Sequence, residues 1–139
     1  MTDQARVVYS YSTSVPDEPG QAFKVLATLV SAGINLLGCS GTQIDSQAHI
    51  EVVPADAAAF AALVERATLS FRRQKAGFLI QGNDRPGALA DNLSRLADIG
   101  INVDGVHGLA AGAGRWSAIV WVADRDLEVA ARALGASLP

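Results

Sequence analysis

Residues 17–35, "DEPGQAFKVLATLVSAGIN", and residues 84–102, "DRPGALADNLSRLADIGIN", carry one pattern: an acidic residue, a Pro-Gly pair, an apolar stretch and a Gly-Ile-Asn ending. Asp84 follows Asp17 by 67 positions, and Gly87 follows Gly20 and Asn102 follows Asn35 at the same interval. "GCSG" (residues 38–41) and "GVHG" (residues 105–108) keep that register. "VPAD" and "WVAD", ending at Asp56 and Asp124, stand 68 apart, so one residue has been added in a stretch that reads as a turn. Four motifs held in step predict two copies of one unit. The basic cluster Arg72, Arg73 and Lys75 marks the junction, giving modules 1–73 and 74–139. The 139 residues suffice for one ordinary domain or two very small ones.

Each copy reads by the same rules. "ARVVYSYS" (residues 5–12) and "AGFLIQG" (residues 76–82) are short, β-branched or aromatic and bounded by turn formers, which predicts strands. Pro19 and Pro86 suit a first helical turn, where a missing N–H loses no partner. Ala22, Leu26, Leu29 and Val30 in one copy match Leu89, Leu93, Leu96 and Ala97 in the other as an apolar helical face. Gly33 and Gly100 stop these helices by taking up the left-handed conformation. Second and third strands follow, and Asp56 and Asp124 are the expected N-caps of second helices. A fourth strand fits "TLSFRR" (residues 68–73), but the second copy has only "GASLP" left for its counterpart. The expected class is α+β, with one sheet edge of the second copy left open.

The helix starts suggest a binding chemistry. A glycine there lets a ligand approach backbone N–H groups, and the positive helix end favours an anion such as an α-carboxylate. Gly20 and Gly87 stand at these points. Asp17 and Asp84, three residues earlier, either accept hydrogen bonds from an α-ammonium group or cap the helix. Asn35 and Asn102 carry amides that both donate and accept, suited to a zwitterion or to the turn itself.

DxPG, a helix of about a dozen residues, Gly-Ile-Asn and a strand with a second glycine together resemble the ACT domain, a regulatory module of ferredoxin-like βαββαβ topology. The resemblance covers nearly the whole chain twice, so the chain is similar to stand-alone tandem ACT proteins. It implies two modules side by side as a pseudo-dimer with antiparallel sheets, and small effectors, typically amino acids, bound where modules meet. The ligand-binding candidates are Asp17, Glu18, Gly20, Asn35 and Leu36 in the first copy, and Asp84, Arg85, Gly87, Asn102, Val103 and Asp104 in the second. Some amino-acid-sensing relatives place a polar side chain two positions before Asp84, where this chain has Gly82. Asp104 has no carboxylate counterpart in the first copy, so either its half-site prefers a cationic or hydrogen-bonding group or Asp104 forms the edge of a solvated strand.

Other classes find little support. His49 and His107 are the only histidines, and Ser40 replaces His107 in the first copy. Cys39 has no neighbouring cation to activate it and reads as core. No catalytic constellation, metal site or cofactor is expected. "GLAAGAGRW" (residues 108–116) lacks the P-loop lysine and a following helix, so it reads as a hairpin. A net charge of −3 with dispersed basic residues implies no nucleic-acid surface. No apolar run approaches the roughly 18 residues that cross a bilayer. The N-terminus lacks a basic and apolar leader, and one cysteine makes no disulfide framework, which together suggest the cytoplasm. Trp116 and Trp121 lie an odd number of positions apart, so one is expected in the core and the other covered by a partner or exposed. The expectation is a non-enzymatic regulatory protein binding an amino acid, forming a homodimer and acting on a metabolic enzyme or regulator. The alternative is a structural or oligomerisation module without a working ligand site.

Overall fold

The computed structural model describes residues 3–138. Among these, the elements run β1 (Gln4–Pro16), α1 (Gln21–Ser31), β2 (Leu36–Ile44), β3 (Gln47–Pro54), α2 (Ala57–Ala67), β4 (Arg72–Asn83), α3 (Ala88–Asp98), β5 (Val103–Gly112), β6 (Arg115–Val122) and α4 (Leu127–Leu134). The fold is α+β, built from βαββαβ-like repeats. It divides into two compact units, Tyr9–Gln74 and a second made of residues 3–8 with 75–138.

The repeat is visible bond by bond. At both helix starts x-Pro-Gly forms a type II turn: Gln21 N–H donates to Glu18 O (3.2 Å) and Ala88 N–H to Arg85 O (3.3 Å). Gly20 (φ 86°) and Gly87 (φ 83°) occupy the left-handed third position that this turn requires. The prolines therefore precede the helices, and their fixed φ serves the turn instead of the first helical turn expected from the sequence. At the helix ends, Ile34 N–H donates to Leu29 O and Gly33 N–H to Val30 O; 67 residues on, Ile101 donates to Leu96 O and Gly100 to Ala97 O. These are complete Schellman motifs; Ile34 of Gly-Ile-Asn packs against the core cluster and Ile101 is buried. Asp56 caps α2 through Ala59 N–H (3.0 Å) as expected. Asp124 does not cap α4 in the same way: it opens a 3₁₀ turn, Asp124–Asp126, and α4 begins at Leu127.

In the Tyr9–Gln74 unit the strand order is β2-β3-β1, with β1 and β3 antiparallel from Tyr11↔Val52 to Pro16↔Gln47. Leu29, Ile50, Val52, Phe60, Leu63 and Phe71 form the core. The Phe60 ring sits edge-on to Phe71 and tilted on Tyr11, with centroids 5.2 and 4.7 Å away. In α1 the inward face centres on Leu29; Ala22 and Val30, expected inside, are exposed, as is Ala97 in α3.

In the second unit residues 4–8 of β1 stand beside β4, followed by β6 and β5. Ser137 bridges the other side of this short strand, with Val7 N–H donating to Ser137 O (3.0 Å) and Ser137 N–H to Ala5 O (3.1 Å). The last strand missing from the second copy is thus supplied by the start of the chain. The edge expected to lie open is covered, and the premise for pairing through it falls away. "TLSFRR" is not a separate strand either, since residues 72–73 run on into β4. Phe78, Ile80, Leu96 and Val120 are fully buried here. Both tryptophans are buried within the unit, against the expectation that only one would lie in its core: a Cβ built on Gly77 or Gly105 would touch the Trp121 ring, so glycine-bearing strands cover its face.

A cleft at the start of helix α3

The second copy gathers part of its candidate set around one open cleft of about 480 Å³. Asp84, Arg85, Gly87, Ala88, Leu89 and Ala90 form one wall, Gly108, Leu109 and Ala110 of β5 another, and Trp116 of β6 contributes its indole. Each wall follows from a local rule. The type II turn swings the chain at Gly87 so that α3 starts at the cleft with no side-chain cap on its N-terminus. An α-helix leaves its first N–H groups without intrahelical acceptors, so this end carries a partial positive charge. Gly108 keeps the β5 wall low: a Cβ there would lie 3.4 Å from Leu89 Cδ2. Asp84 is exposed, with its N–H donating to Gly114 O (2.8 Å).

Arg85 does not point freely into this space. Its guanidinium grips Asp3 through both forks, Nη1 to Oδ1 at 3.1 Å and Nη2 to Oδ2 at 3.0 Å. Asn92 Nδ2 donates to the same carboxylate at 2.8 Å and Trp116 Nε1 at 3.2 Å. The Asp3 side chain is only 6% exposed. Hydrogen bonds from Arg85 above all pull its carboxyl from 3.8 down to about 2; burial opposes the shift, and Asn92 and Trp116 reinforce it. Arg85 is raised in turn by Asp3. Its second ion pair, to Asp91 at 3.5 Å, is solvent-exposed and contributes little.

The remaining candidates stand elsewhere. Asn102 is exposed just before β5, and Val103 pairs with Val122. Asp104 is the extra residue of a bulge between Val103 and Gly105. None of these three lines the cleft. In the Tyr9–Gln74 unit, Gly20 begins α1 uncapped, as Gly87 begins α3. Asp17 and Glu18 are exposed in the preceding turn, and Asn35 O accepts from Ala55 N–H (2.9 Å). Leu36 pairs with Pro54 ahead of a bulge at Leu37, the counterpart of Asp104. Cys39, expected in the core, is exposed on β2. Ser14 Oγ lies 3.1 Å from His49 Nδ1, and His107 is exposed on β5.

The sequence reading missed Asp3, Asn92, Trp116 and the β5 wall. Asp3 is 82 positions from Arg85 and carries no local signature. Gly82 was the available signal: a Cβ there would run into Asp3 Oδ1, so the position is empty because a carboxylate from the residue preceding β1 fills it.

No protein-family model matches the chain, and no curated protein matches it significantly. Solved structures share the fold. Protein BT0572 from Bacteroides thetaiotaomicron superposes with a TM-score of 0.72 at 20% identity, over 94% of this chain and 88% of that one. The regulatory subunit of aspartate kinase from Thermus thermophilus, in its ligand-free form, gives 0.60 at 21% identity over 97% and 95%. That from Thermus flavus gives 0.58 at 18% identity over 97% and 95%. The fold is therefore the ACT-like fold of these regulatory subunits. Among the described residues no helix is long and apolar enough to cross a membrane.

Proposed function

We propose that this chain is a regulatory protein that binds a small zwitterion, an amino acid above all, in the cleft at the start of α3. The uncapped helix start carries the reading: Gly87 sets the first-turn N–H groups at the wall of a cleft whose 480 Å³ lies within the range of small-molecule sites. A ligand carboxylate takes the Leu89 and Ala90 amides, Ala88 N–H being held by Arg85 O, and the exposed Asp84 receives the ammonium group. Leu89, Leu109 and Trp116 offer an apolar wall to a side chain. The fold shared with regulatory subunits of aspartate kinase supports a metabolic enzyme as the partner, its contact with this chain changing when the ligand binds.

A second reading, an assembly module with no working ligand site, is favoured by the exposed Val106 and Leu109 on β5 and Phe23 and Val30 on α1. Pairing of two copies along exposed edge strands fits either reading. A thermal-shift panel of the common amino acids separates them. At 100 times its dissociation constant a ligand stabilises by about 2.7 kcal/mol, which raises the melting temperature by several degrees. A flat response to every amino acid supports the assembly module.

A further inference from the structure

We propose that Arg85, Asn92 and Trp116 form a carboxylate-binding site behind the cleft, filled by the chain's own Asp3 and open to a free carboxylate that takes its place. Four N–H donors converge on one carboxylate, and Asn92 and Trp116 are 3% and 5% exposed. A guanidinium fork with further donors on both oxygens is the geometry that recognises a planar carboxylate. Gly82 supplies the room, since any side chain there would collide with the bound group.

Two of the three donor side chains have an anchor besides Asp3. Asn92 Nδ2 also donates to Ala88 O (2.9 Å), and Arg85 Nη1 to Asn83 O (3.1 Å). Asp3 itself lies just outside β1, and the backbone bonds joining Ala5 and Val7 to Ser137 do not involve it. Its side chain can therefore swing out while the strand stays paired. Arg85 and Trp116 are also cleft residues, so the replacing carboxylate arrives from the cleft. Asp3 acts as a tethered competitor whose effective concentration is of millimolar order or more, which weakens binding to the intact chain.

The site is distinct from the zwitterion reading, which seats its carboxylate on the α3 amides, and removal of Asp3 and Arg85 reports on this donor set alone. The full chain and its Asp3→Gly and Asp3→Gly/Arg85→Gln variants are titrated with sodium acetate and sodium formate against sodium chloride at equal ionic strength. Thermal unfolding and tryptophan fluorescence are followed. Asp3→Gly is expected to respond saturably, with half-saturation at least tenfold lower than the intact chain, and the double variant to lose the response. If Asp3→Gly does not fold in chloride, acetate or formate is expected to restore the fold. Asp3→Asn, whose amide still fills the site, gains nothing from either. The proposal is overturned by an Asp3→Gly response no stronger than that of the intact chain, by an undiminished response in the double variant, or by failure of both anions to restore an unfolded Asp3→Gly.

Discussion

Asp3 shows how one residue can hold distant parts of the second unit in place. Its carboxylate ties the start of the chain to the turn before α3, to α3 itself and to β6. Because the folded-state value is depressed, from 3.8 to about 2, Asp3 contributes stability above the unfolded value, and that contribution disappears as pH falls toward 2. The shift corresponds to about 2 kcal/mol at neutral pH. Urea unfolding of the protein and of Asp3→Asn should differ by about that amount at neutral pH and converge between about pH 4 and pH 2. A gap that persists unchanged into acid would mean that Asp3 acts through packing alone. Nothing near Asp3 in sequence announces this role, since its partners meet it only after the sheet has formed.

Helices α1 and α3 were legible because both their boundaries use local chemistry. Gly33 and Gly100 make the expected left-handed stops, and the Schellman bonds repeat at the 67-residue interval. The starts were legible as boundaries but not as turns, because Pro followed by Gly serves either a first helical turn or a type II turn. The distinction has a measurable consequence for the acidic residues. Asp56 caps α2, so Asp56→Ala should cost about 1 kcal/mol in chemical denaturation. Neither α1 nor α3 has a side-chain cap, so Asp17→Ala and Asp84→Ala should each stay within about 0.5 kcal/mol of the parent. A loss at Asp84 equal to that at Asp56 would show that it supports the helix start, leaving it unsuited to receive an ammonium group.

At the scale of the molecule, the duplicated α+β plan followed from the repeat, while the wiring of strands did not. A periodic sequence shows that two units exist, but which segment pairs beside β4 depends on contacts between the two ends of the chain. Residues 4–8 fill that place and Ser137 pairs on their far side, where "GASLP" alone looked too short for a strand. The cleft was half legible for the same reason. Asp84, Arg85 and Gly87 belong to a recognisable motif, whereas Gly108, Leu109 and Trp116 reach it through strand register. Gly108 offers the most direct test, since its replacement by valine suits a strand and fills the space facing Leu89 without touching the amides of α3. Calorimetric titration of the most stabilising amino acid into the parent and Gly108→Val should give saturable binding to the parent and at least a tenfold loss in the variant, with folding intact. Equal affinity in the two proteins, or no binding of any amino acid to the parent, would contradict the cleft as the ligand site.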